Sequence, residues 1–436
     1  MYNIFMENKT QVIVVGGGPA GVSAAVTVAR AGKEVILIER GNFCGSKNVF
    51  GGAVYTKPIK EIFPDFEQSA PLERNNKKHK YMLLTENEDT TISHSSAEDD
   101  SNSFTVIRAK FDRWLSEQAK KEGVTLVTQT LVKDLIIENG KVIGVKTELE
   151  DYFADIVILA DGVNSLLAKK AGLRKDFEQS DVALGIKEVI KIDSEKINER
   201  FNLKENEGCI TEIIGYPMNG MLGLGYVYTN KNSVTIGLGV ALDELTEKQI
   251  KPYELLDKLK SHPSIEPLIN DGELLEYSAH LIPEGGYKKI PKLYGNGVMV
   301  VGDAAMLVNN LHWEGTNLAM ISGKFAGETV IEAIKQKDFS ENTLKLYKEK
   351  LDKSFIMKDL KSYKNLMPTM HNRRNSFTDY YIRKVNSFFK MFTSVDGIVK
   401  RDKFRNFIKT IFTDRKFIEL CKDGFAGVKL LWEILK

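Results

Sequence analysis

The chain has 436 residues, 42% of them hydrophobic and 28% charged, enough for roughly two or three domains with a full core. A formal net charge of +2 excludes a globally basic or acidic binding role, and no window offers the roughly 18 uninterrupted apolar residues of a membrane-spanning helix. Cys44, Cys209 and Cys421 are too scattered for a disulfide framework, a zinc site or an iron–sulfur ligand set, and MYNIFMENKT shows no secretory pattern, so a reduced cytoplasmic setting is expected.

In chain order, the β-branched run at 11–16 predicts a parallel strand buried on both faces, followed by a helix from Pro19 to Arg30 and a strand ending at Glu39. Within this βαβ unit, Gly16, Gly18 and Gly21 keep the G-x-G-x-x-G spacing. Gly16 suits a tight turn, Gly18 a close approach of backbone to a pyrophosphate, and Gly21 close helix–strand packing. Pro19 and Ala20 open the helix whose N-terminus would meet the phosphates. Glu39, with Arg40 beside it, stands where a ribose diol is read. Glycine turns alone are common; the strand before, the helix after and the acid closing the next strand make this one a dinucleotide site.

The stretch 86–103 is polar and serine-rich, which predicts an exposed hairpin or loop. A helix follows from Arg108, with Phe111, Trp114, Leu115 and Ala119 along one face. Arg108 at its start either reaches phosphates or is a solvated helix-start arginine. Short strands at 126–127, 135–137 and 142–145 carry an Asn139-Gly140 hairpin turn, and a buried strand then ends in Asp161-Gly162, a chain reversal expected near adenosine. Residues 180–285 alternate in a way that predicts an antiparallel sheet with a short helical insertion.

A second ligand-reading segment follows the apolar strand at 298–301: Gly302-Asp303, then Gly315-Thr316-Asn317 opening a helix. Backbone N–H groups at that opening can stabilise negative charge on a reduced ring. A nicotinamide cofactor has no use for this second device, so the pair of segments predicts an extended FAD. The chemistry then belongs to the flavin, and no catalytic side chain is expected. Cys44 is read as packing, and His312 either moves protons or caps.

The expected fold is α/β: a Rossmann-type FAD-binding domain in three parts (1–80, 104–180, 286–335), with an exposed hairpin or loop at 81–103. It is interrupted by an α+β domain with an antiparallel sheet (181–285) and followed by a helical, basic C-terminal region (336–436). Residues 371–416 carry a net charge of +8 against −6 for the remainder. Tyr381, Val385, Phe388, Phe389 and Phe392 share one helical face, and Phe404, Phe407, Ile408, Ile411 and Phe412 another. Packing on the body, an anionic membrane surface and an acidic protein partner are all compatible with that pattern.

The segments GGGPAG, CGSKNVFGGAVYT (44–56) and AHLIPEGGYKKIPKLYGNGVMVVGDAA (279–305) resemble the FixC group, relatives of electron transfer flavoprotein–quinone oxidoreductase. The resemblance implies a glutathione-reductase-like FAD fold and electron flow from a two-subunit, FixA/FixB-like electron transfer flavoprotein towards quinone. It implies Gly16, Gly18, Gly21 and Glu39 on the ADP half, and Ser46, Lys47, Asn48, Gly51 and Gly52 along the flavin. It places Arg108, Asp161 and Gly162 near phosphates and adenosine, Asp303 on the ribityl chain, and Gly315, Thr316 and Asn317 at the pyrimidine edge. The larger relatives carry their own cysteine-ligated cluster. Here only Cys421 lies in that region, which implies a separate ferredoxin-like, FixX-like subunit. The rival readings are a geranylgeranyl-reductase-like enzyme acting on isoprenoid double bonds and a non-catalytic flavin scaffold.

Overall fold

The computed structural model describes residues 9–47, 51–96 and 102–435. They form two compact units, the first from Met1–Glu73, Ser101–Val182 and Ala279–Lys364, the second from Arg74–Asp100, Ala183–Ser278 and Asn365–Lys436.

In the first unit the strand Lys9–Val15 lies between Val35–Ile38 and Asp151–Leu159, parallel to both, and Val298–Val300 continues the sheet in parallel beyond Asp151–Leu159. Helices cover both faces of such a sheet, which is why Val12, Ile13 and Val14 are all fully buried and the strand reads as one apolar run. The strand order reverses between Lys9–Val15 and Asp151–Leu159, and ligands of open parallel sheets bind outside the carboxyl ends of the strands at such a point. Those ends deliver Gly16, Glu39, Asp161 and Gly302-Asp303 to one edge.

The helices Pro19–Arg30 and Thr316–Gln336 touch backbone to backbone: a Cβ at Gly323 would stand 2.0 Å from Ala20 O. The hairpin Val132–Glu138/Lys141–Thr147 turns at Asn139 and Gly140, both left-handed at φ 51° and 75°, as the two-residue turn demands. The helical region expected over 336–436 divides in the structure. Helices Glu341–Lys353 and Phe355–Ser362 bury Leu344, Tyr347, Leu351, Ile356 and Leu360 in the core of the first unit.

The second unit is built on an antiparallel run, Val182–Lys191, Ser233–Ala241, Gly223–Thr229 and Glu207–Gly215. Glu207–Gly215 then pairs in parallel with Leu72–Leu84, which pairs antiparallel with Asp89–Ser95. The polar stretch at 86–103 therefore contributes an exposed edge strand; its residues 97–101 lie outside the described set. Arg74, 1% exposed, donates to Asn230 O, Asn198 Oδ1, Glu207 O and Ser194 Oγ, so its buried charge is solvated by protein.

Helices Tyr381–Thr393, Lys400–Asp414 and Phe417–Leu435 follow in the same unit. Phe388 packs on Phe392, Phe404 and Phe407, joining the first two through part of the expected aromatic faces. Asp423 is buried and anchors the last helix, 2.8 Å from Arg415 and 3.5 Å from Arg373, while accepting from Ser376 and Tyr381 hydroxyls.

Candidate functional site

Gly16 is left-handed at φ 105°, and a Cβ there would sit 2.2 Å from Ala160 O. At Gly21 a Cβ would stand 1.9 Å from Gly16 O, so the helix closes directly onto the turn. Gly18 differs: among the described residues nothing lies within 4 Å of its Cβ position. It is the N-cap of the helix Pro19–Arg30 and brings no side-chain cap, leaving the first N–H groups beside open space. Pro19 and Ala20 are buried.

Glu39 is already engaged, accepting from Gly17 N–H at 2.9 Å through Oε2 and from Gly41 N–H at 2.7 Å through Oε1. A carboxylate keeps further lone pairs after two such bonds, so it can still receive a diol. The sequence reading of Glu39 as a ribose acceptor omitted this second task of shaping its own loop. Arg40 beside it is exposed. Cys44 Sγ lies 2.3 Å from the Cβ position of Gly17, and burial, then the charge of Glu39, pushes its thiol up to about 12. Such a thiol is inert packing.

Arg108 forms a two-pronged pair with Asp112, Nε to Oδ1 and Nη2 to Oδ2, both at 2.8 Å and buried. The expected choice between phosphates and solvent was therefore incomplete, because a carboxylate one helical turn on takes two of its donors. Ser46 Oγ is buried without a hydrogen-bond partner among the described residues, and Lys47 is exposed. Asn48 falls outside the described residues. Gly51 is left-handed at φ 81°, and Gly52 O accepts from Val106 N–H at 2.7 Å where Ala53–Tyr55 pairs with Ser103–Val106.

Past the strand Asp151–Leu159, Asp161 accepts from Ser165 Oγ at 2.8 Å, and burial raises its carboxyl above the usual range. Gly162 turns the chain at φ 77°. Gly302, at φ 61°, donates to Ser322 Oγ, and its Cβ position is 2.9 Å from Ala20 Cβ. The second segment thus packs directly on the first. Desolvation lifts Asp303 to about 6, against the opposing pull of Arg108.

Gly315 caps the helix Thr316–Gln336, whose first bond runs from Ala319 N–H to Gly315 O at 2.8 Å, so Thr316, Asn317 and Leu318 present N–H groups without helical partners. Asn317 Nδ2 donates to Glu314 Oε2, while its Oδ1 is buried and unpartnered among the described residues. His312 is exposed, edge-on to Tyr363.

Two groups escaped the sequence reading. Burial, then Arg108 and Arg40, holds His280 down to about 4, so it is neutral. Burial pushes Glu284 up to about 8, while Asn310 Nδ2 donates to its Oε2 at 2.9 Å. Both lie in the 279–305 segment that carries the family resemblance, yet the sequence reading gave neither a role, and only tertiary placement gives them these environments.

The open space at Gly18 and the orphaned Ser46 Oγ and Asn317 Oδ1 fit a long ligand with hydrogen-bonding groups along its length. A short mononucleotide would leave the Asn317 end unmet. Residues 11–181 match the FAD dependent oxidoreductase family, so the chain is a FAD-dependent oxidoreductase. Residues 182–282 match the ETF-QO ubiquinone-binding domain and 366–432 the ETF-QO/FixC family C-terminal domain. The chain belongs to the FixC family, relatives of electron transfer flavoprotein–quinone oxidoreductase, and its role is electron transfer.

Protein FixC of Azorhizobium caulinodans is 40% identical over 427 residues, covering 96% of this chain and 98% of the relative. That of Azotobacter vinelandii is 42% identical over 431 residues, with 96% and 98% covered, and that of Escherichia coli 38% over 432, with 98% and 100%. Among solved structures, a geranylgeranyl bacteriochlorophyll reductase-like protein from Thermoplasma acidophilum has a TM-score of 0.73 at 21% identity, covering 95% of this chain and 98% of that one. The flavin-dependent brominase Bmp2 has a TM-score of 0.64 at 16% identity, with 93% and 100% covered. At such identities the likeness carries the fold alone.

Proposed function

We propose that this chain relays electrons from a reduced two-subunit electron transfer flavoprotein, through its FAD, to a ferredoxin-like subunit or a quinone. The observation that carries the reading is likeness to FixC proteins over nearly the whole chain. The flavin, when bound, supplies the electron chemistry.

This chain's own residues then hold and orient. Gly16, Gly18, Pro19, Ala20 and Gly21 lay the helix N-terminus against the diphosphate, and Glu39 takes the ribose, with Arg40 at the rim. Ser46, Lys47, Asn48, Gly51 and Gly52 run along the ring. Arg108, fixed by Asp112, brings positive charge towards the phosphates; Asp161 and Gly162 shape the adenosine side. Gly302 and Asp303 meet the ribityl chain, and Gly315, Thr316 and Asn317 offer N–H groups to the pyrimidine edge.

Electron relay of this kind takes place beside a bilayer when the acceptor is a quinone. Among the described residues no helix is long and apolar enough to cross one. The helix Phe417–Leu435 nevertheless leaves Phe417, Phe425, Val428, Leu431, Trp432 and Leu435 exposed along one face, with Lys416, Lys422 and Lys429 exposed beside it. An apolar stripe edged by lysines, directly after the basic segment 371–416, suits a peripheral seat on anionic lipid.

Anaerobic mixing with a reduced electron transfer flavoprotein tests the relay. The visible band of the bound flavin should bleach and return on adding a quinone. A band unmoved by the reduced carrier but bleached by a small reductant substrate would contradict it.

A further inference from the structure

Past the paired strand ends, the two loops that grip the cofactor leave the sheet: one follows Asp161-Gly162, the other Gly302-Asp303. The last ladder contact between their strands runs from Val301 N–H to Leu159 O at 3.0 Å. Beyond it, Arg174 reaches both loops. Its Nη1 donates to Val163 O at 2.8 Å and to Ala304 O at 3.3 Å. The guanidinium lies over the Phe177 ring, 5.3 Å from its centre, which fixes its plane.

We infer that Arg174 is a positioning residue that sets the spacing between the loops receiving the two ends of FAD. The inference rests on the FAD site described above and adds a residue that belongs to neither glycine motif.

Val163 adjoins the turn at Asp161, and Ala304 adjoins Asp303. A tie between their carbonyls therefore holds the acid on the adenosine side at a set distance from the acid on the ribityl side. Nη2 of the same guanidinium is buried and has no hydrogen-bond partner among the described residues, so Nη1 alone makes the tie. Burial lowers its pKa, opposed by Asp161, Asp181 and Asp176, so acidic groups on several sides retain the charge. The task suits arginine: a planar guanidinium held over the Phe177 ring aims one nitrogen at both carbonyls, where a lysine ammonium is a single point on a flexible stem.

A dinucleotide held at both ends binds through two linked contacts, and the gain from linkage depends on the spacing being preset. Loss of the tie should then weaken the whole ligand while sparing a fragment that uses one end.

The test compares FAD and ADP binding to the full-length chain stripped of flavin, by titration, for Arg174→Gln and Arg174→Lys. Arg174→Gln should raise the FAD dissociation constant about tenfold or more and leave that of ADP unchanged. Arg174→Lys, which keeps the charge without the planar guanidinium, should fall between Arg174→Gln and the unaltered chain. Equal weakening of FAD and ADP would mean that the domain has merely loosened, and unchanged FAD binding would mean that the tie is idle; either overturns the inference. Should Arg174→Gln not fold, Arg174→Lys carries the same comparison.

Discussion

Gly18 and Gly21 sit in one motif for opposite reasons, and alanine separates them. At Gly21 the new methyl would press against Gly16 O at 1.9 Å, a backbone atom that cannot swing aside. Overpacking of that kind costs about 1–3 kcal/mol or more, so Gly21→Ala should lower the melting temperature of the flavin-free chain. At Gly18 a methyl meets nothing within 4 Å, and φ is an ordinary −76°. Gly18→Ala should melt like the unaltered chain yet bind FAD at least tenfold more weakly, roughly the loss of one good contact. Full flavin affinity in Gly18→Ala would remove the phosphate from that space.

Glu284 gives a pH signature. Burial raises its carboxyl from 4.5 to about 8, so the folded chain holds a proton that the unfolded chain releases. Its contribution to stability is complete below pH 4.5 and is lost as pH rises through about 8. Asp303, raised to about 6, acts in the same sense over a narrower range. Denaturant melts of flavin-free Glu284→Gln should show a shallower fall across that window than the unaltered chain. Parallel curves would assign the pH dependence elsewhere.

At the scale of elements, what the sequence discloses depends on how local the cause is. The strand at Lys9–Val15, the helix from Pro19 and the hairpin at Asn139-Gly140 follow from burial on both faces, capping and left-handed turn residues, all local. Leu72–Leu84 was illegible: LERNNKKHKYMLL has no apolar period, and its parallel partner Glu207–Gly215 lies far along the chain. The Arg108–Asp112 pair, in contrast, was visible as an i, i+4 spacing on a helix and was passed over for the phosphates. Arg174 lies outside every motif, and His280 and Glu284 lie in the 279–305 segment without a role read from it, since the surroundings of all three arise from loops joined only in the fold.

The last helix belongs to this scale too. Its exposed stripe, with Phe425 at 73% and Trp432 at 69%, should bind vesicles containing anionic lipid and release them at high salt. Replacing Phe425 and Trp432 by Asp should abolish cosedimentation without altering the flavin spectrum. Retained cosedimentation would place the lipid contact elsewhere.

For the whole molecule, one principle joins these parts. A parallel sheet with a reversal in strand order gathers its carboxyl ends at one edge, and two helices opened by glycine face that edge from segments far apart in sequence. On the proposed relay the surrounding side chains would position and tune the flavin, and none would be needed as a nucleophile. The flavin content of the purified full-length chain is the most direct test. Stoichiometric, non-covalent FAD, with Gly18→Ala and Asp303→Ala each depleted in it, is the predicted result. A colourless chain that does not take up added FAD would contradict the account at its base.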